Sequence, residues 1–334
     1  MTTELDLSII IVNWNSAAFV RNCLSTLYEH TRTIRFEVIV IDNASHDGCG
    51  AMIERDFPAV RFIQSTENAG FARANNLGFK HSTGRNILFL NPDTEVTGGA
   101  TERLVRFLDS TAEAGVAGAR LLNSDRSVQT SCIQRYPTIL NQVLDTDYLR
   151  DRFPNWQIWG TRPLFDSPKE PAQVEVISGA CQMLRREVFE QIGFYDESYF
   201  MYAEDVDLCF KAQQAGWRNY YVGDAIIVHH GGRSSSAASG NNFATVVTHE
   251  SRYKFFVQHR GKAGAIVYRI LMALIALFRI GLLVSLRAIT LGRFSRTALA
   301  SATKKWNKVF RWSIGLEGWA GSLLPREPCR EPGP

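Results

Sequence analysis

The chain has 334 residues, 45% of them hydrophobic and 21% charged, which excludes a disordered polymer and allows one large α/β domain with a C-terminal appendage. The formal net charge of +4 is unevenly divided: residues 1–251 hold 22 basic and 30 acidic side chains, whereas thirteen Lys or Arg and no Asp or Glu lie between Arg252 and Arg311. An acidic body with a basic tail points to an anionic partner for the tail: phospholipid, nucleic acid or a polyanionic substrate.

Residues 5–12 form an apolar run rich in β-branched side chains, which predicts a buried parallel strand. Phe19, Cys23, Leu24 and Leu27 give helical spacing over 17–30. A second strand, 36–41, stops at Asp42-Asn43-Ala44-Ser45. A helix at 47–56, a strand at 60–64, a loop with Asn68 and Gly70, a helix at 71–82 and a strand at 86–90 follow. This alternation predicts a parallel sheet with right-handed crossovers. Ligands of such sheets sit outside the carboxyl ends of the strands. Asn13 and Asn15, Asp42 and Asn43, and Asn91 and Asp93 all fall at those ends, so one shared site is expected. From 120 to 172 the pattern loosens around five prolines, Trp156 and Trp159, as in a long connection or lid. Regular structure resumes at 174–177, with helices at 185–191 and 205–215 and a last strand at 225–228.

Five stretches carry chemistry. Asp42, after a strand, can accept from a ribose hydroxyl or a base N–H, although Asn and Ser there also cap the next helix. Gly70, in Asn68-Ala69-Gly70-Phe71-Ala72-Arg73-Ala74-Asn75-Asn76, lets backbone approach a ligand, and the following helix start can face phosphate. Pro92 fixes Asn91 and Asp93 on either side of it, and a carboxylate at a strand end can take a divalent cation that also binds a diphosphate. Glu204, Asp205 and Asp207 crowd one helix start, where the dipole favours negative charge; aimed at a cleft, a pair of them supplies a general base. His229 and His230 precede Gly231 and Gly232, and a neutral imidazole there can complete a metal site.

In this order, the stretches are similar to the family 2 glycosyltransferases, inverting enzymes of the GT-A fold, and within them to the rhamnosyltransferase-like branch. The resemblance runs from about Leu7 to Ser235. It rests on Ser-Ile-Ile-Ile-Val-Asn-Trp-Asn (8–15), Ile-Asp-Asn-Ala-Ser (41–45), the run 68–76, Asn-Pro-Asp-Thr-Glu (91–95), Ser-Gly-Ala-Cys (178–181), Glu-Asp-Val-Asp-Leu-Cys (204–209) and His-His-Gly-Gly-Arg-Ser (229–234). It implies a Rossmann-like, mostly parallel α/β sheet flanked by helices, with residues 1–250 as the catalytic domain: 1–120 for the nucleotide-sugar, 121–250 for acceptor and catalysis. It implies a nucleotide-sugar co-substrate held by Asn13, Asn15, Asp42, Asn43, Asn68, Gly70, Phe71, Asn75, Asn91 and Gly179. A divalent metal, Mg2+ or Mn2+, falls to Asp93, Asn91 and His229. The base is Asp205, with Glu204 second. Asp207, His230 and Arg233 border these positions, and Trp156 and Trp159 can stack on an acceptor sugar. Many GT-A enzymes have Asp-x-Asp where this chain has Asn91-Pro92-Asp93, so the first position supplies a carbonyl but no charge. The pattern looks most like enzymes using dTDP-L-rhamnose on a glycan or lipid-linked acceptor in cell-envelope polysaccharide synthesis. UDP-hexose, UDP-N-acetylhexosamine and UDP-galactofuranose are the other donors weighed.

A dinucleotide oxidoreductase is disfavoured, because Gly-x-Gly-x-x-Gly is missing after the first strand, where the sequence reads Asn-Trp-Asn-Ser. A non-catalytic glycan- or lipid-binding relative is disfavoured by the intact acidic set. No nucleic-acid motif accompanies the basic tail, so nucleic acid is not an expected partner. Residues 251–324 read as a basic amphipathic helical region and 325–334 as a disordered tail. Within 264–290, Arg269, Arg279 and Arg287 interrupt the apolar run and share one side of a helix. That predicts a helix in the membrane interface with its arginines at the headgroups, on the cytoplasmic face; a packed helical hairpin, on the catalytic domain or in a homo-oligomer, is the alternative. The six cysteines form no CxxC pair and no signal peptide precedes the first strand, consistent with reduced thiols in the cytoplasm.

Overall fold

The four apolar runs that open the chain all form strands: β1 (Leu7–Asn13), β2 (Phe36–Asp42), β3 (Arg61–Gln64) and β4 (Asn86–Leu90). They lie parallel in the order β3-β2-β1-β4, crossed by helices α1 (Ala17–His30), α2 (Cys49–Asp56) and α3 (Gly70–Lys80). Every residue of β1 is buried, which is why its sequence is continuously apolar instead of alternating. The computed structural model describes residues 5–153, 155–156, 158–159, 164–165, 170–231, 243–289 and 296–323. Arg233 and the tail 325–334 lie outside the described residues.

The chain divides into two units. The first comprises Met1–Tyr136, Arg150–Glu197 and Glu204–Ser234. After β4 it adds β5 (Thr94–Val96), α4 (Ala100–Ser110), β6 (Ala114–Leu122), β7 (Ile133–Gln134), β8 (Ala172–Val174), β9 (Val176–Ile177), β10 (Cys181–Arg185), α5 (Arg186–Gln191), α6 (Glu204–Gln214) and β11 (Arg218–His229). The full sheet runs β3-β2-β1-β4-β10-β6-β11-β5, with β8 on β11. It is mostly parallel and flanked by helices, as expected, but β10 is antiparallel to β4 and β6, and β5 is antiparallel to β11. Phe79, Phe89, Phe189 and Tyr195 interlock beside β10, with Phe89 and Tyr195 centroids 4.8 Å apart in an edge contact. Such pairs add roughly 1 kcal/mol each beyond their buried area. Cys23, Cys49, Cys132, Cys181 and Cys209 are free and buried.

The second unit comprises Pro137–Leu149, Ser198–Ala203 and Ser235–Pro334. Its long helix α7 (Phe243–Ile289) bends at Gly261, whose φ is 77°. Helices α8 (Arg296–Ser313) and α9 (Trp319–Ser322) follow. Ala265, Tyr268, Met272 and Ala276 of α7 pack against Val309 and Trp312 of α8. The short helix Ile139–Leu144, closed by a Thr138–Asn141 capping box, joins this cluster through Ile139.

Arg269 and Arg279 depart from the expected headgroup side. Arg269 donates to the carbonyls of Trp312 and Ser313 at 3.0 Å, at the C-terminal end of α8. Arg279 donates to the Val143 carbonyl at 3.1 Å and lies 4.2 Å over the Trp306 ring. Unsatisfied carbonyls at helix ends attract guanidinium donors, so both arginines turn inward. The opposite stripe of α7 is left apolar and exposed, with Ile270, Leu274, Leu277, Phe278 and Leu282 on it. By length and composition α7 can cross a membrane, and only 17% of its most apolar window is buried.

Candidate active site

Side-chain amides organise the ends of β1 and β2. Their register pairs Asn13 with Asp42, and the Asn13 amide donates to Asp42 at 2.7 Å. Asp42 also accepts from the Ser45 N–H at 2.6 Å and from Gln64 at 2.9 Å. Asp47 accepts from the Ala17 N–H at 2.8 Å. Asn13 and Asp42 are 0% and 1% exposed, so both serve to order this loop. Asn15 is exposed, in the left-handed region at φ 52°. Asn43 ties in the next loop: it donates to Asn68 at 2.8 Å and accepts from the Ala69 N–H at 3.0 Å. Asn68 in turn accepts from the Gly70 N–H at 3.1 Å. Gly70 opens α3 at φ 82°, a conformation that glycine adopts without penalty. Asn75 donates to the Phe71 carbonyl within α3, and Phe71 meets Tyr195 edge-on.

A second cluster forms where β4 ends. The antiparallel pairing of β5 with β11 sets His229 opposite Thr94. Nε2 of His229 thereby stands 3.2 Å from Oδ1 of Asp93 and 3.4 Å from the Asn91 amide. Asp93 is 2% exposed. The ring's other nitrogen, Nδ1, lies 2.7 Å from Oε1 of Gln129. Gln129 is oriented by its own amide nitrogen, which donates to Asn123 at 3.1 Å. Nδ1 therefore carries a hydrogen, and in the neutral ring Nε2 offers a lone pair toward the Asp93 carboxylate. A lone pair and a carboxylate at this distance need a shared cation or proton between them. Two donors about 2.1 Å from one ion at right angles stand roughly 3.0 Å apart, so the pair fits a hard divalent cation. Turning the Asn91 amide adds its carbonyl as a third donor. Among the described residues no three His, Cys, Asp or Glu cluster closely enough to hold a metal by themselves. His230 points elsewhere: its ring contacts Glu95 and Ser124 at 2.8 Å each. Burial raises the Glu95 pKa, but hydrogen bonds from His230 and Asn22 outweigh it and hold that carboxyl below its ordinary range.

The third cluster joins Gly179 to the start of α6. The Gly179 N–H donates to Oδ2 of Asp205 at 2.8 Å, and the Val206 N–H donates to Oδ1 at 2.8 Å. A side chain on residue 179 would place a Cβ 3.3 Å from the Asp205 Cβ. The Asn91 N–H donates to the Ala180 carbonyl at 3.0 Å, so this cluster adjoins the second. Asp205 is partly exposed, whereas Glu204 and Asp207 are 6% and 2% exposed. Burial raises the Glu204 pKa well above the usual range, and the charges of Asp205 and Asp207 raise it further. Its carboxyl therefore holds a proton more tightly than an ordinary glutamate does.

Trp156 and Trp159 belong to a stack with Phe153, in which Phe153 and Trp156 lie 4.6 Å apart. Trp159 is 7% exposed and donates to the Phe153 carbonyl, so it is packed, while Trp156 is 42% exposed. Gln129, Gln64 and Asp47 escaped the sequence reading. Each is a lone polar residue whose partner lies far away in sequence, and spacing carries no sign of that.

A family model for glycosyl transferase family 2 matches residues 8–193. The chain is 28% identical over 272 residues to an N-acetylglucosaminyl-diphospho-decaprenol L-rhamnosyltransferase of Mycobacterium tuberculosis, across 76% of this chain and 85% of the relative. It is 28% identical to a low-salt glycan biosynthesis hexosyltransferase of Haloferax volcanii, over 67% of this chain and 66% of the relative. A dTDP-rhamnosyl transferase of Shigella flexneri is 25% identical, over 66% and 67%. A mannosyltransferase from Pyrobaculum calidifontis, solved with GDP-Man and Mn2+, superposes with a TM-score of 0.56 at 16% identity, covering 95% of this chain and 88% of that one.

Proposed function

The chain belongs to glycosyl transferase family 2, and on that premise we propose that it transfers L-rhamnose from dTDP-L-rhamnose, with inversion, to a lipid-linked saccharide. The reaction is placed at the cytoplasmic membrane surface, in cell-envelope polysaccharide synthesis. The observation that carries the chemistry is that, where β4 ends, the Asp93–His229 pair and the Gly179-anchored carboxylate of Asp205 are joined by the Asn91–Ala180 backbone hydrogen bond. Support for the donor and acceptor comes from the activities of the Mycobacterium tuberculosis and Shigella flexneri relatives.

In this reading the loops ordered by Asn13, Asp42 and Asn43 receive the nucleoside, and the Gly70 turn admits the diphosphate to the start of α3. Asp93, His229 and Asn91 would hold Mg2+ or Mn2+, and the bound ion would supply positive charge to the departing diphosphate. Asp205 takes the proton of the acceptor hydroxyl. That oxygen bonds to the anomeric carbon as the bond to the phosphate oxygen breaks on the opposite face, and the electron pair leaves with dTDP. Burial favours the protonated form of Glu204, whereas Asp205 is the more exposed of the two, which favours Asp205 as base.

The test is a donor screen with purified protein, Mn2+ and a polyprenyl-diphosphate-linked saccharide, read as nucleotide release. Turnover fastest with dTDP-L-rhamnose is the expected result. Faster turnover of a UDP-sugar overturns the donor, and no release from any donor overturns the transferase reading of this site.

A further inference from the structure

Two left-handed residues lead into the helix that carries Asp205. Tyr202 has φ 68° and Ala203 φ 63°, and among the described residues they are the only consecutive non-glycine pair with positive φ. A side chain disfavours this conformation, because its Cβ crowds the following carbonyl oxygen. Such backbone persists only where its surroundings over-determine it, and it gathers at functional sites. Here it stands immediately before Glu204 and Asp205, the first residues of α6. The segment is tied at both ends. Upstream, the buried Asn76 amide brackets Tyr195, accepting from its N–H at 3.1 Å and donating to its carbonyl at 2.9 Å. Downstream, the Asp205 carboxylate accepts from the Gly179 N–H at 2.8 Å.

Helix α7 holds the middle. The stretch Ser198–Ala203 belongs to the second unit, as α7 does. The Ser251 hydroxyl donates to the Met201 carbonyl, the last one before the left-handed pair, at 2.8 Å. The Tyr199 hydroxyl donates to Oε1 of Gln258 at 2.6 Å, and Nζ of Lys254 lies 4.9 Å over the Tyr199 ring. Ser251, Lys254 and Gln258 stand three and four residues apart, so they share one face of α7. Ser251 and Tyr199 are 1% and 0% exposed, so both hydroxyls find their partners within the protein. We propose that Ser251 and Gln258 are positioning residues for the transfer step: they brace the left-handed turn, so that α6 begins with the Asp205 carboxylate on the Gly179 N–H. Without the brace, Tyr202 and Ala203 relax toward negative φ and turn the first residues of α6 away. The inference rests on the reading of Asp205 as base and adds what aims it.

The test is nucleotide release by the full chain with Mn2+, the lipid-linked acceptor and the donor selected by the screen above. Ser251→Ala should lower kcat by about tenfold and leave the donor KM within about twofold of wild type. Gln258→Leu and Tyr199→Phe remove one bond from its two sides, so they should lower kcat alike and no further in combination. Gln258→Glu, which keeps the acceptor, should restore kcat. The deciding measurement repeats Ser251→Ala in an Asp205→Asn background, where it should cost nothing more, because the group it aims is gone. The same kcat loss in both backgrounds overturns the proposal, as does a loss confined to the donor KM. If Ser251→Ala does not fold, Gln258→Leu, a change at an exposed side chain, takes its place in both backgrounds. Wild-type kcat in Ser251→Ala beside a dead Asp205→Asn overturns the brace and leaves the base standing. An active Asp205→Asn overturns the base itself and the brace with it.

Discussion

The amide oxygen of Gln129 stands 2.7 Å from Nδ1 of His229 and so decides which ring nitrogen faces Asp93. Nothing in the metal-binding stretches of the sequence names Gln129. It reaches them from the loop after β6, 100 positions away from His229.

Gln129→Leu should weaken Mn2+ binding by about 10- to 100-fold, the usual cost of losing such a support. Gln129→Glu, which keeps the acceptor, should recover most of it. Titration with Mn2+ after stripping with EDTA gives the affinity, and turnover at saturating Mn2+ should lie near wild type in both variants. Equal Mn2+ affinity in Gln129→Leu and wild type would remove Gln129 from the site.

Asp205→Asn should lower turnover by roughly 10²- to 10⁴-fold while leaving donor affinity unchanged, as expected for loss of a general base. Glu204→Gln should retain much more activity, since burial already favours the uncharged form of Glu204. A dead Glu204→Gln beside an active Asp205→Asn would exchange the two roles.

Glu204 also links stability to pH. Its pKa in the folded chain is raised by burial and by Asp205 and Asp207, so folding favours the protonated form. The group's stabilising contribution is whole below the unfolded pKa, about 4.3, and is lost progressively as pH rises above it toward the folded value. Glu204→Gln should therefore melt above wild type at neutral pH, with the gap closing toward pH 4. Thermal unfolding across that range measures it, and a constant gap contradicts the assignment.

Gly179→Ala brings a methyl to 3.3 Å from the Asp205 Cβ. The carboxylate must shift, and displacements well under 1 Å already cost rate. Turnover should fall by about tenfold or more, with Mn2+ and donor binding preserved. Wild-type turnover would mean that the start of α6 tolerates the shift.

Much of the first unit was legible because its signals are local. β1, β2 and β4 are short apolar runs closed by Asn or Asp, and the polar residues fall at the carboxyl ends, as parallel topology requires. β10 and β5 were not legible as antiparallel strands, since their partners are set by pairing with β4 and β11 far along the chain. β11 was read only at its end, 225–228, because Asn219, Tyr220 and Gly223 break the apolar run earlier. In the tail, an angle around a helix told which residues share a side but not which side faces inward. The carbonyls at the end of α8 made that choice for Arg269.

The buried cysteines have a practical corollary. Burial pushes the thiols of Cys23, Cys49 and Cys181 up to about 12, so almost none is thiolate at neutral pH, and thiol reagents attack thiolates. Once Cys329 is replaced by Ser, a single cysteine introduced at an exposed position of α7, such as Leu274, becomes the preferred target of a maleimide dye. The fold thus supplies a nearly silent background for attaching one fluorophore, whose colour and quenching then report whether that helix enters lipid.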